Sequence, residues 1–220
     1  MPTRIAAKPP GPRWHRRPEA RREELMTAAV QVFGDLGYAR AKLEDVAKRA
    51  GVSKGTVYLY FDSKDALFRA MVRQKVSEHL AFAEATVAGS AKPPRELLDE
   101  IIRRWWAATP DMVQINRVIH AEATRFPELA RFYLEEVILR GRRLLRVIFE
   151  RGVERGDFRR IPPVPALRGI ASMIVHGAMY QRVFGPHDPD FLSDDALIEG
   201  ILDLVFHGIT QSPPLRKARS

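Results

Sequence analysis

The 220-residue sequence contains no cysteine, which excludes disulfide bonds, thiolate nucleophiles and cysteine-ligated metals. Its absence fits a reducing compartment. No run of residues comes near the roughly 20 apolar positions that a membrane-spanning helix requires. The N-terminus, MPTRIAAKPPGPRWHRRPEARR, is basic but lacks the apolar segment of a signal peptide. We therefore expect a cytoplasmic protein without a membrane partner.

Patterns typical of enzymes and metal sites are also missing. The sequence has no glycine-rich phosphate loop, no nucleophile elbow and no zinc signature. His120 and Glu122 are two positions apart and cannot share a helix face. His176 lies in an apolar segment and is expected to be a core histidine. We expect no metal, no cofactor and no enzymatic activity, with an all-α enzyme of dispersed catalytic residues as a remote alternative.

The charge of the chain is strongly basic and unevenly distributed. Lysine and arginine number 36 against 27 acidic residues, which gives a formal net charge of +9. Residues 1–64 carry 13 basic and 7 acidic residues, whereas the remaining residues carry 23 and 20. A basic excess at one end of a chain indicates a polyanionic partner such as nucleic acid.

Apolar residues recur with helical periodicity through most of the chain, and no segment alternates as a strand would. A clean amphipathic stripe starts near Pro18 and ends at Gly37. A long helix is predicted from Lys64 to about Val87. Further helices are predicted up to the last two, at about 165–184 and 194–210. The pattern predicts an all-α protein of about nine helices.

The most informative segment is LEDVAKRAGVSKGTVYLYF, residues 43–61. Its first part carries apolar residues at i, i+3, i+4 and i+7, which is one face of a helix. Gly51 then permits a sharp helix exit, and Ser53 can cap the helix that follows. Two short helices joined by a tight turn are typical of a helix-turn-helix, whose second helix enters the major groove of DNA. An ordinary helical hairpin is the alternative.

The segments AAVQVFGDLGY (28–38) and LEDVAKRAGVSKGTVYLYFDSKDALF (43–68) resemble the TetR/AcrR family of bacterial transcriptional regulators. HAEATRFPELARFY (120–133) resembles the C-terminal domain of the AefR-like subgroup. The resemblance implies a homodimer on a palindromic operator in double-stranded DNA, and repression relieved by a small-molecule effector. The implied organisation is a flexible basic arm at 1–17, a three-helix helix-turn-helix DNA-binding domain at 18–64, a helical-bundle ligand-binding and dimerisation domain at 65–211, and a flexible tail at 212–220.

The resemblance also transfers DNA contacts to positions in and around the second helix. Gly55 would let the backbone come close to DNA, and Thr56 can offer a hydroxyl to phosphate or a methyl to thymine. Where the family usually has a capping Thr or Ser, this chain has Ala41-Lys42, and Lys42 can replace that phosphate contact by charge. The predicted DNA-binding residues are Lys42, Ser53, Lys54, Gly55, Thr56, Tyr58, Tyr60 and Lys64.

Each of these contacts has a structural alternative. Tyr58 and Tyr60 can be packed in the core, and Lys64 can be a solvated charge. The arm has two interpretations as well: it follows the DNA backbone or minor groove as homeodomain arms do, or it is a disordered solubilising tail. The basic residues of the arm are Arg4, Lys8, Arg13, Arg16 and Arg17.

The resemblance places a ligand pocket among the helices from about 93 to 184. Aromatic, apolar and methionine side chains there favour a hydrophobic ligand, with simple core packing as the alternative. Arg117, His120, Glu122 and Arg125 are either polar anchors or an exposed face. The candidate pocket residues are Trp105, Trp106, Met112, Ile115, Ile119, Phe132, Tyr133, Met173, His176 and Tyr180.

The last two helices are predicted to form a homodimer interface by packing into a four-helix bundle. Their small residues would permit close helix approach. These are Gly169, Ala171, Gly177, Ala178, Gly200 and Gly208.

Together these features predict a homodimeric, ligand-responsive transcriptional repressor. An activator or co-regulator whose C-terminal half binds a protein partner is the alternative.

Overall fold

A computed structural model describes residues 18–209, apart from the side chains of residues 109–111 and 163. The predicted arm at 1–17 and tail at 212–220 lie outside the described residues. Within 18–209 the chain folds into helices and contains no strand, which confirms the all-α prediction. The helices are α1 (Pro18–Arg40), α2 (Leu43–Arg49), α3 (Lys54–Tyr58), α4 (Lys64–Val72), α5 (Glu78–Gly89), α6 (Pro94–Ala107), α7 (Thr109–Glu122), α8 (Pro127–Tyr133), α9 (Leu139–Glu154), α10 (Pro163–Val183) and α11 (Asp194–Ile209).

Two pairs of these helices are continuous and contain a wider π-helical turn. Arg73–Ser77 joins α4 to α5, and Leu134–Ile138 joins α8 to α9. Counted as continuous helices, the described residues form nine, as predicted. The predicted helix from Lys64 to Val87 is therefore present, but its π-helical turn was not foreseen.

Local sequence explains how the N-terminal helices begin and end. Gly37 adopts a φ of 74° that interrupts regular helical geometry near the end of α1, and Gly51 has a φ of 66° after α2. The Ser53 hydroxyl accepts a hydrogen bond from the backbone N–H of Thr56 at the start of α3. The Ser63 side chain caps α4 in the same way. These caps satisfy backbone donors that a helix cannot satisfy itself.

Two hydrophobic cores hold the helices together, and their division does not follow the order of the chain. The second core contains apolar residues of α5, α6, α9, α10 and α11. The first core contains the apolar faces of α1 to α4, but also residues of α7 and α8. The residues that α7 and α8 contribute to the first core are Met112, Ile115, Val118, Ile119, Leu129, Phe132 and Tyr133.

The first core therefore crosses the predicted domain boundary between residues 64 and 65. Burial of apolar surface is the main favourable term in folding. Within this core, α1 of the N-terminal half packs directly against α7 of the C-terminal half. Among the described residues, no helix is both long and apolar enough to cross a bilayer.

Candidate DNA-binding surface

The helix-turn-helix is anchored by five buried apolar side chains, Leu43, Val46, Ala47, Val57 and Phe61. They lie on α2, on α3 and, for Phe61, just after α3, and all of them belong to the first core. Because α3 is short and anchored on one side, its other side is left to solvent.

The solvent-exposed side of α3 carries most of the predicted DNA-binding residues. Ser53, Lys54, Gly55 and Tyr58 are exposed, and so is Lys42 just before α2. Thr56 and Tyr60 are half-buried, and Tyr60 packs partly against the first core. The surface is thus polar, with one cation at the start of each of the two helices.

Leu59 also belongs to this surface and was not predicted. Its side chain is 84% exposed, the largest exposed fraction among the big apolar side chains of the described chain. Sequence periodicity gave no reason to select it, since apolar residues are assigned to cores by default. An apolar side chain beside Tyr58 can contact a thymine methyl group in the major groove.

Lys54 is held in an ion pair across the two helices. Its Nζ lies 2.5 Å from Oε1 of Glu44 on α2 and 5.6 Å from the centre of the Tyr58 ring. The hydrogen bond with Glu44 raises the pKa of Lys54, and the same bond lowers the pKa of Glu44. Exposed pairs of this kind contribute little to stability. A DNA phosphate or base edge can therefore take the place of Glu44 at low cost.

Replacing Glu44 by glutamine should strengthen DNA binding, because it removes a carboxylate from the surface that is predicted to face the DNA polyanion. We expect about a threefold gain in affinity at low salt, shrinking as ions screen the charge. Fluorescence anisotropy with labelled duplex DNA measures this. Glu150→Gln, an exposed carboxylate on α9, is the matched control. Weaker binding by Glu44→Gln would mean that Glu44 orients Lys54 rather than competing with DNA.

At the start of α2, a different hydrogen bond replaces the cap that a Thr or Ser usually supplies in the family. Lys42 occupies the N-cap position, and its backbone N–H donates to the Asp45 side chain at 2.9 Å. This is one half of a capping box. Ala41 is buried beside it. The Lys42 side chain is consequently free to extend into solvent.

Lys64 is placed differently from the other predicted contacts. Its Nζ donates to the backbone oxygens of Tyr38, at 2.6 Å, and Ala39, at 3.2 Å. It also lies 4.5 Å from the centre of the Tyr38 ring. Partial burial lowers the pKa of Lys64, partly offset by the carboxylate of Glu122. Most of its hydrogen-bonding capacity is thus directed to the end of α1.

The candidate pocket residues do not converge on one cavity. Met112, Ile115, Ile119, Phe132 and Tyr133 are buried in the first core beneath the helix-turn-helix. Trp106 is buried in the second core, Met173 packs partly against it, and Trp105 contacts both cores.

One prediction for α10 is wrong. His176 is exposed rather than a core histidine, and Tyr180 is exposed as well, with its hydroxyl donating to Asp188 at 2.9 Å. Both side chains reach solvent, and Tyr180 lines a shallow surface concavity with Phe184 and His187. The reason is that α10 is apolar on two sides, and periodicity does not tell which side is packed within the chain.

The outward side of α10 and α11 is rich in apolar and small residues. Gly169, Gly200 and Gly208 have open space where a side chain would be, whereas Gly177 and Ala178 pack inward. Apolar patches of this kind on a single chain mark interaction sites. The exposed large apolar residues on these helices and the loop between them are Val164, Tyr180, Val183, Phe184, Phe191, Leu192 and Leu204.

Glu122 is a further residue whose role the sequence did not indicate. The sequence predicts either a polar anchor for a ligand or part of an exposed face, whereas its Oε1 accepts a hydrogen bond from the backbone N–H of Ala39 at 3.0 Å. The two residues are 83 positions apart, so no local pattern could have connected them. Across residues 18–209, leaving aside the few undescribed side chains, no group of His, Asp and Glu is arranged to hold a metal ion.

Comparisons with protein families match most of the described chain. Residues 25–71 match the family described as bacterial regulatory proteins, tetR family. Residues 95–206 match the C-terminal domain of the AefR-like transcriptional repressors. The two matched ranges include the segments whose residues resemble these two groups.

Individual relatives agree with these matches. The chain is 23% identical over 186 residues to the fatty acid metabolism regulator protein of Bacillus subtilis (strain 168), covering 84% of this chain and 94% of that protein. It is 33% identical over 122 residues to the HTH-type transcriptional regulator BetI of Stenotrophomonas maltophilia (strain R551-3). That match covers 48% of this chain and 62% of BetI. The solved structure of FadR from Bacillus subtilis in complex with stearoyl-CoA has a TM-score of 0.67 at 22% identity, covering 85% of this chain and 98% of FadR. At that identity the structural likeness shows the fold.

Proposed function

Because the chain belongs to the tetR family of bacterial regulatory proteins, which are DNA-binding transcriptional regulators, we propose that it is a homodimeric repressor. Each subunit places α3 in one of two successive major grooves of a palindromic operator. A small, predominantly hydrophobic effector binds the C-terminal half and releases the protein from DNA. The protein acts in the cytoplasm, where its DNA is, and has no catalytic role.

One observation carries the DNA-binding proposal: α3 is anchored by Val57 and presents a polar, cationic side to solvent. Lys54 contacts base edges or a phosphate once its ion pair with Glu44 is broken. Gly55 allows the backbone of α3 to approach the DNA closely. Tyr58 and Lys42 contact phosphates, which fix the register of the protein on DNA without reading sequence. Leu59 adds an apolar contact.

The outward side of α10 and α11 supports the homodimer. Two copies related by a two-fold axis can pack this face against itself and form a four-helix bundle. A two-fold dimer also matches a palindromic operator, whose half-sites lie about 34–36 Å apart. The glycines of this face allow the paired helices to come close.

The hydrophobic effector is supported by composition and by one relative. FadR of Bacillus subtilis was solved with stearoyl-CoA, a molecule with a long apolar chain. Here Tyr133 donates a hydrogen bond to Asn116 at 3.0 Å within the otherwise apolar first core. Such a pair offers a polar anchor beside apolar surface. The effector of this chain is proposed to share that amphipathic character.

The first experiment is to measure binding of the full-length protein to the DNA that flanks its own gene. Fluorescence anisotropy at low and moderate salt should show tight binding that random duplex DNA does not reproduce. Lys54→Ala and Tyr58→Phe should weaken it. Equal affinity for random DNA by the folded dimer would argue against operator recognition at this site. Absence of binding to any duplex at low salt would overturn the proposal.

A further inference from the structure

We infer that Lys64 and Glu122 are positioning residues that hold Tyr38 and Ala39, where the end of α1 after Gly37 turns towards α2, so that the C-terminal half sets the orientation of the helix-turn-helix. We call this pair the turn clasp. The inference rests on the proposed function and adds a specific route by which the two halves of the chain communicate. Neither residue is assigned here to direct contact with DNA bases.

The two residues of the turn clasp form hydrogen bonds with consecutive backbone groups near the end of α1. Lys64, the first residue of α4, donates to the carbonyl oxygens of Tyr38 and Ala39. Glu122, the last residue of α7, accepts the N–H of the same Ala39 at 3.0 Å. Two charged side chains from separate helices thus hold both polar groups of one residue. Hydrogen bonds to charged groups are stronger than those between neutral groups.

The turn requires such partners because α1 loses its regular geometry at Gly37. The last carbonyls of a helix lack partners within the helix, and a cation nearby is favourable. Gly37 also allows Glu122 to come close, since a Cβ built there would lie 3.2 Å from Glu122 Oε1. A side chain at this position would both strain the backbone and push Glu122 away.

Aromatic packing also fixes Tyr38, one of the two residues that the turn clasp holds. The Tyr38 ring is buried and packs edge-on against Phe126, between α7 and α8, with ring centres 5.1 Å apart. It also packs against Phe68 of α4 at 5.4 Å. The ammonium of Lys64 lies over this ring. The backbone is thus held from α4 and α7, and the Tyr38 side chain from α4 and from the connection between α7 and α8.

The turn leads directly into the DNA-binding surface. Ala41 follows it and is buried, and Lys42 then caps α2, against which α3 packs. On the other side, α7 lies in the segment that matches the AefR-like C-terminal domain and supplies Met112, Ile115 and other residues to the first core. An effector that shifts α7 therefore shifts Glu122, the turn and the start of α2 together.

Dependence of binding on salt separates a positioning role from a phosphate contact. Each lost contact to a phosphate flattens the slope of log K against log[salt] by about 0.9. A residue that acts through the turn changes affinity without changing the number of phosphates contacted. Removing the turn clasp should therefore weaken binding and leave the slope unchanged.

The test compares full-length variants on operator DNA over a range of salt concentrations. Glu122→Ala and Lys64→Met should each reduce affinity about tenfold with the slope of the wild type, the loss expected for a hydrogen bond to a charged group. Glu122→Gln keeps an acceptor and should restore most of the affinity. Glu128→Ala on α8 and Lys92→Met before α6, both exposed, are the matched controls.

Hydrogen exchange of the free protein provides a readout that needs no DNA. The Ala39 amide should exchange about tenfold faster in Glu122→Ala than in the wild type, and at the wild-type rate in Glu128→Ala. Affinity and exchange in Glu122→Ala equal to those of the Glu128→Ala control would overturn the inference. A flattened salt slope in Lys64→Met would also overturn it, by making Lys64 a phosphate contact. If the wild type binds no duplex, the proposed function fails, while the exchange measurement still tests the clasp.

Discussion

Leu204→Glu should convert the protein into a monomer and lower its affinity for the operator by about a hundredfold or more. Leu204 is 66% exposed on α11, between Gly200 and Gly208, on the apolar side proposed to pair with a second copy. A two-fold axis brings the same patch of both copies together, so each interface would receive two carboxylates. Burying unpaired charges there costs several kcal/mol, roughly the stability of a modest interface.

The loss of DNA affinity follows from the loss of the second recognition helix. In a dimer, binding of one half-site holds the other helix close to its own half-site, which strengthens binding by about 10²–10⁴. A monomer retains only the contacts of a single half-site.

Light scattering coupled to size exclusion measures the mass, and anisotropy measures the affinity. Val147→Glu, which adds a charge to an exposed apolar residue of α9, is the control. A Leu204→Glu protein that remains a dimer with normal affinity would place the interface elsewhere.

Gly55 should be the position where the smallest added side chain does the most damage to DNA binding. In the folded chain a Cβ at this residue would meet only the Ser53 hydroxyl, at 3.8 Å. The fold therefore has room for a methyl group. Alanine also stabilises a helix relative to glycine by up to about 1 kcal/mol. Any loss of DNA binding then comes from a clash between the added side chain and the DNA, and not from damage to the fold.

We expect about tenfold weaker operator binding for Gly55→Ala and at least about a hundredfold for Gly55→Leu, since overpacking of a close contact costs roughly 1–3 kcal/mol or more. Thermal unfolding should show a melting temperature equal to or above that of the wild type. Gly89→Leu, at another open glycine, is the control. Full operator affinity in a folded Gly55→Leu protein would show that the start of α3 stays away from DNA.

Much of the helix-turn-helix could be predicted from the sequence because its determinants are local. Gly51 and Ser53 act on their immediate neighbours, and so does Ser63 at the start of α4. The apolar spacing of α1 and α2 likewise reports on one helix at a time. Such signals need no knowledge of which elements meet in the folded chain, so the number and order of the helices followed.

The remaining features depend on contacts between distant segments. The Lys64 ammonium is directed to the end of α1 because α1 and α4 pack together, and charge alone does not reveal that. His176 was misplaced because an apolar stripe for a partner has the same period as one for the core. The π-helical turns were not predicted, because each inserts one extra residue and shifts the apolar period by a single position, which a helix with a wide apolar face also accommodates.

The core shared by α1 to α4 with α7 and α8 also limits how such regulators can be recombined. A chimera that grafts the first 64 residues of this chain onto another regulator would keep every cap and turn of the graft. It would nevertheless expose the Leu25 and Phe33 side chains of the graft wherever the new host lacks a matching surface. The transferable unit is therefore a discontinuous one, the N-terminal helices together with residues 112–133, and swaps designed on that unit should retain cooperative unfolding.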